Sequence, residues 1–442
     1  QDAWVRSLVF DIVKYLYHWG DHRGCQELAE NVFKIWQESL GADHPETLRI
    51  AKYLGYIFWI NGRYAEATAI HNDALTRYER TVSSEDEDLL DAKLMVAINL
   101  RTAGQFYKAL ELNESVLDDC QRLFGDEPFT LRAAHELGVS LRLAGDVRKA
   151  RSLNAETARQ RSLLLGENHP ETLNTTNGYT IDLRDCGEYR GARTEQERLY
   201  SRYVDLLGEA NPATIRAGRN LAVALRRAGE HKQALELSEK VERRFRRRYG
   251  PESSDTLAAA LNLSVDLRQN KELQQAADRG ERVVEEYQRA MGDSHPFTLA
   301  ARTNLSITLR LMGKLEDALA HNVDAWKGMR AALANDHVFT LTCAINLASD
   351  KYSLEDHQGA FELDSETLEN ARRVLGHDHP TTLACSANLA LDLRALGRVP
   401  EANAVHNDTV TRFQLTLGEK HPATVAATHH VRADCDIEPP PL

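Results

Sequence analysis

An all-α, right-handed superhelical solenoid of antiparallel helix pairs is predicted by three features of this 442-residue chain. A nine-residue word returns at a fixed period, apolar residues inside each period keep helical spacing, and two places in every period are held by small residues. The word LGADHPETL, from Leu40 to Leu48, returns as LGENHPETL from Leu165 to Leu173 and later as MGDSHPFTL, LGHDHPTTL and LGEKHPATV. Its last apolar residue falls at Leu48, Leu90, Leu131, Leu173, Ile215, Leu257, Leu299, Leu341, Leu383 and Val425, a spacing of 42 residues broken once by 41.

Each period reads as helix, turn, helix, turn. In the unit anchored at Leu383, Leu389 and Leu393 lie four apart on one face, and Gly397 follows where a helix would end. A second helix then carries Ala402 and Val405 inward. The His-Pro-x-Thr-Leu words put proline in the first helical turn, where its missing N–H costs nothing. Residues 1–40, with Ile12, Leu16, Gly20 and Cys25 at matching offsets, read as a degenerate capping pair. Residues 41–416 hold nine repeats, 417–433 a closing helix, and 434–442 an extended acidic and proline-rich tail.

Nineteen residues after each anchor stands Ala: Ala67, Ala109, Ala150, Ala192, Ala234, Ala276, Ala318, Ala360 and Ala402. Seven after it the residue is always small: Gly55, Ala97, Gly138, Thr180, Ala222, Ser264, Ser306, Ala348 and Ala390. Larger side chains there would force the paired helices apart, at about 1–3 kcal/mol each. This Gly/Ala signature resembles the tetratricopeptide repeat, lengthened to 42 residues as in kinesin light chain and many bacterial signalling proteins. HEAT-type repeats share the period but not the signature.

Composition bounds the function classes. Hydrophobic residues make up 42% and charged residues 27%, with 12 Pro and 25 Gly, as in an ordinary helix-rich protein. No apolar run is long enough to span a bilayer and no signal segment opens the chain, so a cytoplasmic protein is expected, without a membrane partner. The entry at Gln1 straight into a helical pattern suggests a piece of a longer protein. Six scattered cysteines (Cys25, Cys120, Cys186, Cys343, Cys385, Cys435) lack disulfide or zinc spacing. A net charge of -12 argues against a nucleic-acid-binding surface. With no nucleophile elbow, P-loop, dinucleotide fingerprint or HExxH word, neither an enzyme nor a cofactor is expected.

A solenoid of this kind offers the concave side of its first helices as a groove. At 100° per residue, offsets five, eight and eleven from the anchor face it. Offset five is Asn220, Asn262, Asn304, Asn346 and Asn388, whose donor and acceptor groups suit the backbone of an extended peptide. Offset eleven is Arg101, Arg142, Arg184, Arg226, Arg268, Arg310 and Arg394, suited to carboxylates of acidic side chains or of a free chain terminus. Val223, Val265 and Ile307, with Ile98, Val139 and Ile181, supply an apolar strip between the two rows. Each row also has a framework reading, in which Asn fixes repeat stacking and Arg pairs with Asp182, Asp266, Asp350 or Asp392 of a neighbouring helix. The unit anchored at Leu341 departs, with Lys351-Tyr352 and Glu355 in place of Leu-Arg and Gly.

Two other groups read as framework. The Arg243–Arg248 run would splay around a solvated helix, and the HP histidines (His44, His169, His295, His337, His379, His421), one per unit, suit a turn role better than a metal. The ending Arg432-Ala-Asp-Cys-Asp-Ile-Glu-Pro-Pro-Pro resembles the C-terminal region of actinobacterial tetratricopeptide proteins of FxSxx-COOH peptide systems. That resemblance implies a sensing arm attached to a nucleotide-binding switch module of NB-ARC type; the rival is a constitutive assembly scaffold for a peptide-modifying system. The acidic tail, opposite the arginine row, is itself a candidate occupant of the groove.

Overall fold

The computed structural model describes residues 3–440. Among these are twenty-one α-helices and no strand, running from Ala3–Trp19 and His22–Ser39 to Val399–Thr416 and Pro422–Thr428. Each repeat contributes a 16-residue first helix, such as Pro296–Leu311, and an 18- or 19-residue second helix, such as Leu315–Ala332. Successive helices pack in order, and first helices of adjacent repeats also touch, as in a one-dimensional stack.

The first helices start where the sequence places them. His295 Nδ1 accepts from the Phe297 backbone N–H at 3.1 Å, and Pro296 fills the first helical position. Where a repeat has Asn211 instead, its Oδ1 accepts from Ala213 at 2.9 Å. Small residues permit the helix pairing. The nine alanines are 0–1% exposed, and a Cβ on Gly138 would lie 2.4 Å from Asn154 Oδ1.

First helices end on a left-handed residue, glycine in most repeats but Lys271 (φ 66°) and Glu355 (φ 65°) in two. The departure at Glu355 is therefore tolerated at a backbone cost of about 1–2 kcal/mol. Lys271→Gly and Glu355→Gly are each expected to stabilise the chain by about 1 kcal/mol in urea unfolding.

The stack also closes on itself. His295, His337, His379 and His421 bring Nε2 to the carbonyls of Thr102, Leu143, Asp185 and Arg227 at 2.9–3.1 Å, 193 or 194 residues earlier in the chain. Because Nδ1 accepts from the helix cap, Nε2 carries the proton and donates. One superhelical turn thus takes five repeats, and each turn rests on the last. Gly187 sits at such a contact, where a Cβ would lie 2.5 Å from Pro380. Arg148 and Arg190 add bonds to the carbonyls of Leu375 and Leu417, at 2.5 and 2.6 Å.

Three details add to the sequence reading. The leading helix Ala3–Trp19 exposes Trp4, Leu8, Ile12, Tyr15 and Trp19, whereas a solenoid cap ordinarily has a polar outer face. The closing helix stops at Thr428, and His430 turns the chain with φ 56° into an extended run. In the basic segment Arg244 pairs with Glu209, Arg246 with Glu242 and Glu286, and Arg248 with the Gly20 carbonyl.

Candidate functional site

The first helices Pro212–Arg227, Ser254–Gln269, Pro296–Leu311, Val338–Ser353 and Pro380–Ala395 line the concave side. The extended run after Thr428 enters this space and travels antiparallel to the repeat order. Its backbone is held two residues per repeat. Asn388 Nδ2 donates to the Ala433 carbonyl at 3.0 Å while its Oδ1 accepts from the Ala433 N–H at 2.7 Å. Asn346 does the same to Cys435 at 2.6 and 3.2 Å, and Asn304 to Ile437 at 2.7 and 3.0 Å. An extended chain repeats every second residue, so amides at 433, 435 and 437 meet asparagines on consecutive helices.

The side chains between those amides face the arginine row. Asp434 Oδ1 lies 2.5 Å from Arg310, Asp436 pairs with Arg268, and Glu438 lies 3.0 Å from Arg226 and 2.9 Å from Arg227. Burial alone would raise the Glu438 carboxyl, but Arg227 and Arg226 override it and hold the group down at about 2. The intervening side chains point inward: Cys435 and Ile437 are buried, and Ile437 joins the apolar cluster of Leu257, Leu261 and Leu305. Burial pushes the Cys435 thiol up to about 12.

One position breaks the acidic pattern, and the groove breaks with it. The arginine place of the repeat anchored at Leu341 is Tyr352, and the segment residue that falls there is Arg432. Arg432 stacks over the Tyr352 ring at 4.6 Å and pairs with Asp392 at 2.5 Å and Asp364 at 2.6 Å. Burial raises the Asp364 carboxyl well above the usual range, and Arg432 opposes that rise. Asp364 and Arg432 escaped the sequence reading. The two departures, Tyr352 and Arg432, were the available signal once matched to one another.

The remaining expected groove residues divide. Among the described residues, Asn262 and Asn220 make no bond to the segment: Asn262 Oδ1 accepts from Arg226 at 3.2 Å, and Asn220 donates to Asn177 at 3.1 Å. Arg101 pairs with Glu136, Arg142 with Asp182 and Arg184 with Asp185, each a framework contact. Arg226 and Arg310 serve both purposes, since they also pair with Asp266 and Asp350. Arg394 lies outside the groove, exposed and bonded to Asn403 at 2.7 Å, because the next first helix stops at Thr428 and supplies no counterpart of Asp266 or Asp350. Val223, Val265 and Ile307 are buried at 0–2% exposure rather than forming an open strip, and so is Ile181 at the same offset at 2%, where no bond to the segment falls, so the strip is covered along the stack itself. The chain end at Leu442, expected as a free carboxylate, lies outside the described residues.

Among the described residues there is no group of three or more His, Cys, Asp or Glu able to hold a metal, and no helix long and apolar enough to cross a membrane. All six cysteines are free thiols.

The helix pairs, the Gly/Ala signature and the concave asparagine row place the chain in a protein class, that of helical-repeat binding scaffolds. It belongs to the tetratricopeptide repeat family, whose model matches residues 11–80, 214–287, 255–331 and 338–414, more than half of the chain. The nearly identical TPR-like repeats of a chain described as a kinesin light chain from Podosopora anserina are 24% identical and cover 46% of this chain and 97% of that one, at a TM-score of 0.37. BtubC from P. vanneervenii is 16% identical over 52% of this chain and 89% of its own, at 0.38. A Rap protein solved with Competence and Sporulation Factor is 10% identical and covers 80% of this chain and 99% of that one, at 0.53, a likeness of fold. No curated protein matches the sequence.

Proposed function

We propose that the chain is a non-catalytic receptor for an extended acidic peptide, and that it forms the ligand-sensing arm of a larger bacterial signalling protein. The observation that carries this reading is the run 432–438, held through its backbone by three asparagines and through alternate carboxylates by arginines. Asparagine pairs grip any extended backbone, whereas the arginine spacing selects acid at every second residue. The segment then stands in for a ligand and occupies the site until one arrives. In the Rap structure, too, a repeat solenoid of this fold was solved with a bound factor.

The test loosens the segment without removing it, by Asp434→Ser, Asp436→Ser and Glu438→Gln in the full chain. A fluorescent peptide RADSDIEPPP should then bind saturably, and adding Asn304→Ala and Asn346→Ala should weaken it at least about tenfold, as expected for four lost hydrogen bonds. Binding unaffected by the asparagine changes, in a folded variant, would move the site out of the groove.

A further inference from the structure

Among the described residues, the segment stops using the asparagine and arginine rows before those rows end. Its register advances two residues per repeat, from Asn388 at 433 through Asn346 at 435 to Asn304 at 437. The next asparagine, Asn262, falls opposite 439. That position is proline, and proline has no N–H to give an asparagine Oδ1. The arginine series runs Arg310 to 434, Arg268 to 436 and Arg226 to 438, so Arg184 comes opposite 440, again a proline. Arg184, whose charge helps hold Glu438 down, is left to pair with its neighbour Asp185 at 2.7 Å.

We infer that the groove is built for an acidic peptide that runs at least one repeat further than the chain's own segment, with a free backbone N–H opposite Asn262 and a carboxylate opposite Arg184. The prolines make the resident segment a shortened, displaceable version of that ligand. The physical need is a matter of competition. A segment tethered to its own groove competes at an effective concentration in the millimolar range, so a free peptide with identical contacts would seldom win. Only a ligand making additional contacts can displace it, and the asparagine and arginine rows continue along the path that Pro439 and Pro440 occupy without using them. Pro439 and Pro440 are buried, so the channel has room for backbone at those positions. Arg184 is itself 6% exposed beside Asp185, which is 23% exposed, so a ligand carboxylate would take over a sheltered arginine from a more solvated partner.

This inference rests on the proposed peptide site, and its test separates the two. Cys435 is buried in the resident segment, so its alkylation in the full-length chain, followed by mass spectrometry, reports displacement. Two peptides are compared, RADSDIEPPP and RADSDIEADA, the second restoring an N–H at the 439 place and an acid at the 440 place. RADSDIEADA is expected to speed Cys435 alkylation about tenfold at a concentration where RADSDIEPPP does little, and Arg184→Gln is expected to remove most of that advantage. Equal effects of the two peptides, or an advantage that survives Arg184→Gln, would overturn the inference. If neither exposes Cys435 yet both bind the loosened-segment variant with equal affinity, the extended register is wrong and the groove stands. If neither binds that variant, the proposed function falls as well.

Discussion

Arg226→Met is expected to cost about 3–5 kcal/mol of stability, the range for removing one partner of a buried ion pair. Arg226 sits between Asp266, on the neighbouring first helix at 2.6 Å, and Glu438 of the segment at 3.0 Å, and all three side chains are nearly inaccessible. Burial already raises the Asp266 carboxyl, with Arg226 the main group opposing it. Methionine fills much of the same volume but leaves two carboxylates without that partner. The effect should therefore be largest at neutral pH and shrink as acid neutralises them. Urea unfolding of Arg226→Met beside Arg394→Met checks this, because Arg394 is exposed and its loss should stay within about 0.5 kcal/mol. The segment should also detach, read as faster Cys435 alkylation. A loss near 1 kcal/mol would mean that water readily reaches both carboxylates.

Acidification from pH 7 to pH 5 is expected to weaken the contacts between superhelical turns. Burial lowers His295, His337 and His379 from the usual histidine value to about 4, and it also lowers His421. A histidine whose folded pKa lies below its unfolded value of about 6.5 binds fewer protons when folded. Its contribution is therefore complete above pH 6.5 and is lost as the pH falls towards 4. At pH 5 the loss is about 2 kcal/mol per histidine, roughly 6 kcal/mol for the three together. Protonation would also place hydrogen on Nδ1, which accepts the cap bond from Phe297, Phe339 or Thr381. Asp182, Asp266 and Asp350, raised by burial, act in the opposite sense and reduce the net fall.

His337→Asn isolates the histidine contribution. Asn211 shows that asparagine caps the same position, so the cap is kept while the bond to Leu143 and the titration are removed. The variant should lose about 1 kcal/mol at pH 7, and its decline between pH 7 and 5 should be about 2 kcal/mol smaller than that of the unmodified chain. An unchanged pH profile would exclude His337 from the effect.

Much of the candidate site was legible as rows but not as contacts. Asn304, Asn346 and Asn388 were readable as a backbone-binding series because offset five repeats every 42 residues. That Asn262 makes no bond to the described part of the segment could not be read so, since it depends on where the extended run enters and on the proline at 439. Arg142 and Arg310 occupy the same offset, yet Arg142 pairs within the framework while Arg310 also takes Asp434, and only the path of the segment separates them. Arg394 shares the offset and misses the groove altogether.

The sequence by itself determined the helix pairs and the starts of the first helices, because these follow from local periodicity, caps and the close packing that alanine and glycine permit. Only the tertiary structure decided that five repeats complete a turn, that the capping histidines bridge one turn to the next, and that residues 432–438 lie antiparallel in the channel with Arg432 against Tyr352. These join residues up to 228 positions apart. Their pairing is set by the small rotation added at each repeat and summed along the stack, a quantity that no single 42-residue period contains.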